Sequence, residues 1–243
     1  VAYSDEVVRR FAALKPAAKD FRIFWDNAYA IHHLYEDESK QEKILNILEE
    51  CEKAGNPDMV YEFASTSKVS FPGSGVAAMA TSKANIAFIK KQMGIQTIGY
   101  DKINQLRHVK FFKDFDGVKA HMMKHAALLR PKFDAVLSML DKELKDAEIA
   151  AWTKPQGGYF ISLDVMEGCA KKVVSMCKDA GMILTGAGAT YPYGKDPKDS
   201  NIRLAPSFPT PEELEVAAQV FVLSVKLVSI DKILGEKVEV EEA

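Results

Sequence analysis

Ala64-Ser65-Thr66-Ser67-Lys68-Val69-Ser70-Phe71-Pro72-Gly73-Ser74-Gly75-Val76 sets one lysine between a run of hydroxyls and a glycine-rich turn, with Tyr61 and Phe63 before it and Ala77 to Ala80 after it. The pattern predicts a strand near 59–64, a turn that carries Lys68, and a second strand near 75–80. Apolar surroundings, which this spacing leads us to expect, favour the neutral form of a lysine amine, and a neutral amine can hold an aldehyde as a Schiff base. The competing reading is an ordinary solvated charge. Phe71 to Gly75 alone could suggest a phosphate loop, but no Gly-Lys-Ser/Thr follows, so the motif of nucleotide-binding loops is excluded and a structural turn is preferred.

Outward from that stretch the chain alternates. A helix over 4–14, with Ser4 as its N-cap, precedes the apolar run Phe21 to Trp25, which stops at Asp26. A helix near 39–53 would turn Ile44, Leu45, Ile47, Leu48 and Cys51 inward, and another spans 82–93. Such alternation predicts a largely parallel sheet covered by helices, and sheets of this kind bind ligands beyond the carboxyl ends of their strands. Asp26 and Ser65 to Lys68 both lie at such ends. From about residue 100 long helices take over, the largest over 116–144 with a kink expected at Pro131. Strands near 148–153, 158–164, 182–185 and 201–205, a helix over 168–180 and a last helix over 211–230 complete an α+β pattern. Two domains are therefore expected, 1–100 and 101–243, the second opening on the linking helix. The charged end from Glu236 to Ala243 has little to bury and is expected to fray.

Composition narrows the function. The chain has 243 residues, 47% of them hydrophobic, and a net charge of −2, which supplies no basic excess for nucleic acid or an anionic membrane. No apolar run approaches the roughly 20 residues needed to cross a bilayer, and no signal-peptide pattern opens the sequence. Three widely spaced cysteines, Cys51, Cys169 and Cys177, suit free thiols in a reducing cytoplasm. The i, i+4 pair His121 and His125 lacks the following Glu and a third ligand, so no metal site is expected. His32 and His33 follow Tyr29 closely and are read as lining a site rather than as ligands.

Five segments occur together in one order: DNAYAIHHL from Asp26, STSKVSFPGSGV from Ser65, PQGGYFISLD from Pro155, GMILTGAGATYP from Gly181 and NIRLAPSFP from Asn201. They resemble the fold-type-I aminotransferases that use pyridoxal 5′-phosphate, and most of all the bacterial aspartate aminotransferase subgroup related to MocR-type proteins. The resemblance runs over nearly the whole chain. It implies an α/β fold made of the C-terminal part of the large-domain sheet and the small α+β domain. It also implies that the chain is a C-terminal fragment, since members carry roughly another half-chain before the equivalent of Val1.

By this resemblance Lys68 would form the internal aldimine and later move the proton between the substrate α-carbon and the cofactor. Asp26 would keep the pyridine nitrogen protonated, and Tyr29 would hydrogen-bond the cofactor's phenolic oxygen. Ser65 and Ser67 would donate to the phosphate, and Arg203 would take the substrate α-carboxylate. Each has a plainer reading: Asp26, Ser65 and Ser67 as turn caps, Tyr29 as a core tyrosine, Arg203 as a surface ion pair. Most relatives place an arginine about eight residues after the lysine, where this chain has Gly75-Val76. Backbone amides of the Gly73 to Gly75 turn, or groups outside the chain, are then expected to face the phosphate. The implied activity is transamination between aspartate, or a similar acidic amino acid, and a 2-oxo acid such as 2-oxoglutarate, in a cytoplasmic homodimer, with the fragment alone inactive. A lyase on the same cofactor and an effector-binding module of a transcription regulator are the alternatives.

Overall fold

The computed structural model describes residues 2–241, which group into two compact units, Ala2–His125 and the residues from Ala126 on. The change of character near residue 100 stands as our proposed domain boundary. The first unit holds α1 (Asp5–Ala12), β1 (Ile23–Asp26), α2 (Ile47–Lys53), β2 (Val60–Ser65), β3 (Ala77–Ala80), α3 (Lys83–Gln96) and α4 (Lys102–Phe112). The long α5 (Phe115–Leu144) contains the division between the units and runs unbroken through Pro131.

Side-chain caps decide where these helices begin. The Ser4 hydroxyl accepts the Val7 N–H at 3.4 Å, Ser82 the Asn85 N–H at 3.2 Å, and Asp101 the Asn104 N–H at 2.9 Å. Asn46 does the same for Leu48 at 3.0 Å, so the helix expected from residue 39 starts only at Ile47. Before it, Asp37 caps a short 3-10 turn over Glu38–Lys40, and Ile44, expected inward, is 39% exposed. A local Asx cap has outcompeted the helical continuation of an apolar pattern.

The sheet is mixed, not largely parallel as expected. β1 pairs with β2 in parallel, Asp26 opposite Phe63, whereas β3 returns antiparallel with Ala77 opposite Ser65. The segment from Thr66 to Val76 is too short to hold the crossover that a parallel strand needs. One face of this sheet is sealed by the cluster Val8, Ala12, Trp25, Ile47, Cys51, Met59 and Val60. On the other, Phe24 lies 72% exposed, its ring stacked on Phe63 at 5.6 Å and tilted against Tyr61 at 5.7 Å. Alternation along β1 sends Trp25 and Phe24 to opposite faces.

The second unit is α+β. β4 (Ala150–Trp152), β5 (Ile161–Val165) and β6 (Asn201–Leu204) form an antiparallel sheet in that order, with α6 (Ala170–Asp179) and α7 (Pro211–Glu241). Ile161, Leu163 and Val165 alternate into the core, joined by Ile202 and Leu204 from β6, Val173 and Cys177 from α6, and Phe221, Val225 and Val228 from α7. Helix α7 opens on a capping box: Thr210 Oγ1 accepts the Glu213 N–H at 3.2 Å, and Glu213 Oε2 accepts the Thr210 N–H at 2.8 Å, with Pro211 at the first helical position.

The expected strand over 182–185 is not formed among the described residues, and Ile183 is 88% exposed. The fraying expected from Glu236 to Ala243 concerns side chains outside those described, although the helical backbone extends to Glu241. All three cysteines are buried, and burial pushes Cys51 and Cys177 up from the ordinary thiol value. No helix among the described residues is long and apolar enough to cross a membrane.

Candidate functional site

The parallel pairing of β1 with β2 puts two polar strand ends side by side, Asp26 on one and Ser65 to Lys68 on the other. Asp26 is exposed, and its Oδ1 accepts the Ala28 N–H at 3.1 Å, the turn-capping contact that its position at the end of a strand allows. Tyr29 follows at 38% exposure, its ring edge-on to His32 with centroids 5.1 Å apart. At the end of β2, Ser65 Oγ accepts the Ser67 N–H at 3.1 Å and lies 2.8 Å from Ser67 Oγ.

Beyond Ser65 the chain makes a single helical turn. The Thr66 carbonyl accepts the Val69 N–H at 2.9 Å and the Ser70 N–H at 2.8 Å, so Lys68 sits at the middle of a closed loop. The apolar surroundings expected for this lysine are not supplied by the first unit, where Lys68 is exposed while the adjoining Val69 is buried with Phe112 and Met122. The next turn, Phe71-Pro72-Gly73-Ser74, closes with Ser74 N–H to Phe71 C=O at 3.1 Å. Proline second and a glycine of φ +79° third fit a type II turn.

The two turns are sewn together. The Thr66 N–H donates to the Val76 carbonyl at 2.9 Å, and the Val76 N–H donates to Thr66 Oγ1 at 2.8 Å. A Cβ on Gly75 would stand 2.7 Å from Ser67 Oγ and 2.9 Å from Ser67 N, inside any tolerable contact. Glycine at 75 is therefore required by the closeness of the lysine turn, independently of any ligand.

Three histidines from three parts of the unit grip this turn. His32 Nε2 donates to the Lys68 carbonyl at 3.2 Å, and His121 Nε2, on α5, donates to the Val69 carbonyl at 3.0 Å. His108, on α4, brings Nε2 to within 2.8 Å of Ser70 Oγ and 3.0 Å of Thr66 Oγ1. Burial holds the His32 imidazole below its ordinary value, opposed by its bond to the Lys68 carbonyl. Burial, with the neighbouring His121, lowers His125 likewise. His121 thus spends a ring nitrogen on backbone, and among the described residues no three His, Cys, Asp or Glu are grouped to hold a metal. Sequence reasoning anticipated His32 near the site and missed His108 and the Thr66 and Ser70 hydroxyls. The available signal was the i, i+4 pair Asn104 and His108 on one helix.

Arg203 belongs to the second unit, on β6 opposite Ser162. Its guanidinium carbon lies 4.5 Å from the centre of the Phe160 ring, a cation–π stack, and its buried Nε has no hydrogen-bond partner among the described residues. The neighbouring Asn201 is fixed by Thr190, Ser162 and Asp164, which aligns the start of β6.

A family model described as aspartate amino-transferase matches residues 1–237. An aspartate aminotransferase of Corynebacterium glutamicum is 48% identical over 214 residues, which is 88% of this chain and 49% of that protein. The crystal structure of an aspartate transaminase from the same species matches with a TM-score of 0.89 at 45% identity, over 94% of this chain and 53% of the other. An α-aminoadipate aminotransferase of Thermus thermophilus, complexed with N-(5′-phosphopyridoxyl)-L-leucine, matches at a TM-score of 0.66 and 18% identity over 86% of this chain and 51% of the other, a likeness of fold. The chain spans about half the length of the relatives it matches.

Proposed function

The chain belongs to the aspartate amino-transferase family, and from that premise we propose that it carries the lysine, the ring-tuning carboxylate and the carboxylate-binding arginine of a pyridoxal 5′-phosphate enzyme acting on aspartate or a similar acidic amino acid. The observation that carries the reading is the placement of Asp26 and of the Ser65 to Lys68 turn at the carboxyl ends of two hydrogen-bonded parallel strands.

The residues present suit the cofactor. A primary amine stands on a turn beside two hydroxyls 2.8 Å apart, a carboxylate ends the adjoining strand, and Gly75 lets the glycine turn pass against Ser67 where any side chain would collide. Pyridoxal phosphate, when bound, supplies an aldehyde for an amine to condense with and a ring that takes up the electron pair left when the substrate α-proton departs.

In this reading Lys68 holds the cofactor before substrate arrives. Its Nζ, when not bonded to the cofactor, would be the base placed to accept the substrate α-proton. Asp26, oriented by the Ala28 N–H, would face and keep protonated the pyridine nitrogen, and the Tyr29 hydroxyl would donate to the cofactor's phenolic oxygen. Ser65 and Ser67 donate to phosphate oxygens. Arg203, stacked on Phe160 and with an unclaimed Nε, would offer its fork to the substrate α-carboxylate. With the cofactor held by these residues, the proposed overall exchange would move the amino group of aspartate to a 2-oxo acid such as 2-oxoglutarate. A homodimer is part of the proposal.

The test uses the full-length protein that contains this chain. Borohydride reduction after loading with pyridoxal phosphate is expected to leave the added mass on Lys68, and Lys68→Ala is expected to abolish both that mass and aspartate-dependent formation of glutamate. Mass on a different lysine, or activity surviving in Lys68→Ala, overturns the reading.

A further inference from the structure

Lys68 is the middle residue of the turn from Thr66 to Ser70, and a single ring nitrogen reaches the hydroxyls at both ends of that turn. His108 Nδ1 lies 2.9 Å from the Asn104 carbonyl, which can only accept, so Nδ1 carries the hydrogen. Nε2 of the neutral ring is then an acceptor. Thr66 Oγ1 already accepts the Val76 N–H, and its own hydrogen is available to Nε2. Ser70 Oγ lies 2.8 Å from the same nitrogen, its one hydrogen shared between Nε2 and the Thr66 carbonyl at 3.1 Å. From one turn earlier on the same helix, Asn104 Nδ2 donates to the Ser74 carbonyl at 2.8 Å and to the Gly75 carbonyl at 3.3 Å, so α4 also fixes the neighbouring glycine turn.

We propose that His108 is a positioning residue for Lys68: by closing the ends of the turn from Thr66 to Ser70, it fixes where the Lys68 amine stands relative to the glycine turn. The proposal rests on the reading of Lys68 as the cofactor-holding lysine. His32 and His121 hold the carbonyls on the C-terminal side of the same turn, but each binds a peptide group that any residue type would offer. His108 binds side chains, Thr66 and Ser70, and so ties the position of the amine to the identity of those residues. A turn released at its ends lets the amine wander by an ångström or more, enough to slow a reaction between positioned groups roughly tenfold to a hundredfold.

The experiment follows the rate at which the full-length apoprotein becomes covalently labelled by pyridoxal phosphate at Lys68, trapped by borohydride and read by peptide mass. His108→Ala is expected to slow labelling at least about tenfold. In His108→Gln the amide reaches the former Nε2 position and restores labelling to within about threefold, whereas in His108→Asn it reaches only the Nδ1 position and restores nothing. Thr66→Val combined with Ser70→Ala removes the same bonds from the turn and should slow labelling to the extent that His108→Ala does. In the unaltered apoprotein the ring nitrogens of His108 should give the nuclear magnetic resonance shifts of an Nδ1–H tautomer. Label on Lys68 at equal rates in all these proteins, equal behaviour of the Gln and Asn variants, or the opposite tautomer overturns the role of His108 alone. Label on another lysine in the unaltered protein overturns the reading of Lys68 as well.

Discussion

At the scale of single residues, the lysine turn shows how a site can be over-determined by contacts that never touch a substrate. Gly75 is the sharpest case. Gly75→Ala would force a methyl group to within 2.7 Å of Ser67 Oγ and 2.9 Å of Ser67 N, and the backbone atom cannot rotate away. The turns must part, at a cost of about 1–3 kcal/mol, typical of overpacking. Urea unfolding should show that loss, and cofactor capture should fall with it; an unchanged midpoint would mean the turns are less closely sewn than described. The strand-end placement of Lys68, Asp26, Ser65 and Ser67 was legible because it depends on distance along the chain, a local property. His108 was not, because its partners lie 38 and 42 positions away and only folding brings them to its ring.

At the scale of elements, caps and connection lengths account for most departures from the sequence reading. The apolar spacing from Ile44 to Cys51 is helical throughout, yet Asn46 accepts N–H groups and starts α2 three residues later than Ile44. A continuous apolar run identifies β3 but carries no direction; the short link from Thr66 to Val76 sets the antiparallel return. The loop before β6 is set by charge. Asp196 Oδ2 accepts the Ser200 and Asn201 N–H groups, both at 2.8 Å, and Oδ1 accepts the Lys198 N–H at 3.0 Å. These bonds, that to Asn201 foremost, hold the carboxyl below its ordinary value of 3.8. Because the folded value is the lower one, the stabilisation is present in full above the unfolded value and drains away as pH falls from there through the folded value. Thermal melts followed between pH 7 and pH 2 should show a decline below about pH 4 that Asp196→Asn flattens, together with a lower midpoint at neutral pH. A variant whose acid profile matched the unaltered chain would show that this loop is held by other means.

At the scale of the whole molecule, the match of residues 1–237 to one family model and the TM-score of 0.89 to a structure of which the chain covers 53% agree on an aminotransferase fold present in part. The five segments that carried the resemblance span both units, so the architecture was legible without any element being placed correctly at both ends. The domain boundary proposed near residue 100 rests on a shift of pattern, and mutual contact groups the residues into two compact units that meet inside α5. The exposure of Lys68 has a consequence at this scale too. Residues 2–125 leave Lys68 exposed, so the 243-residue chain by itself should hold pyridoxal phosphate weakly and fail to turn over aspartate. Spectral titration of the chain beside the full-length protein checks this, and tight one-to-one binding by the chain would sink it.

The stacked pair Phe24 and Phe63 bears on how such a chain fares in water. Phe24 projects from β1 at 72% exposure, and among the described residues β1 and β3 each have a strand neighbour on one side only. An open aromatic face next to unpaired strand edges is the combination that invites strands of other molecules to add on. For this chain expressed by itself, the concentration at which it precipitates, rather than the free energy of its fold, is the quantity that limits handling.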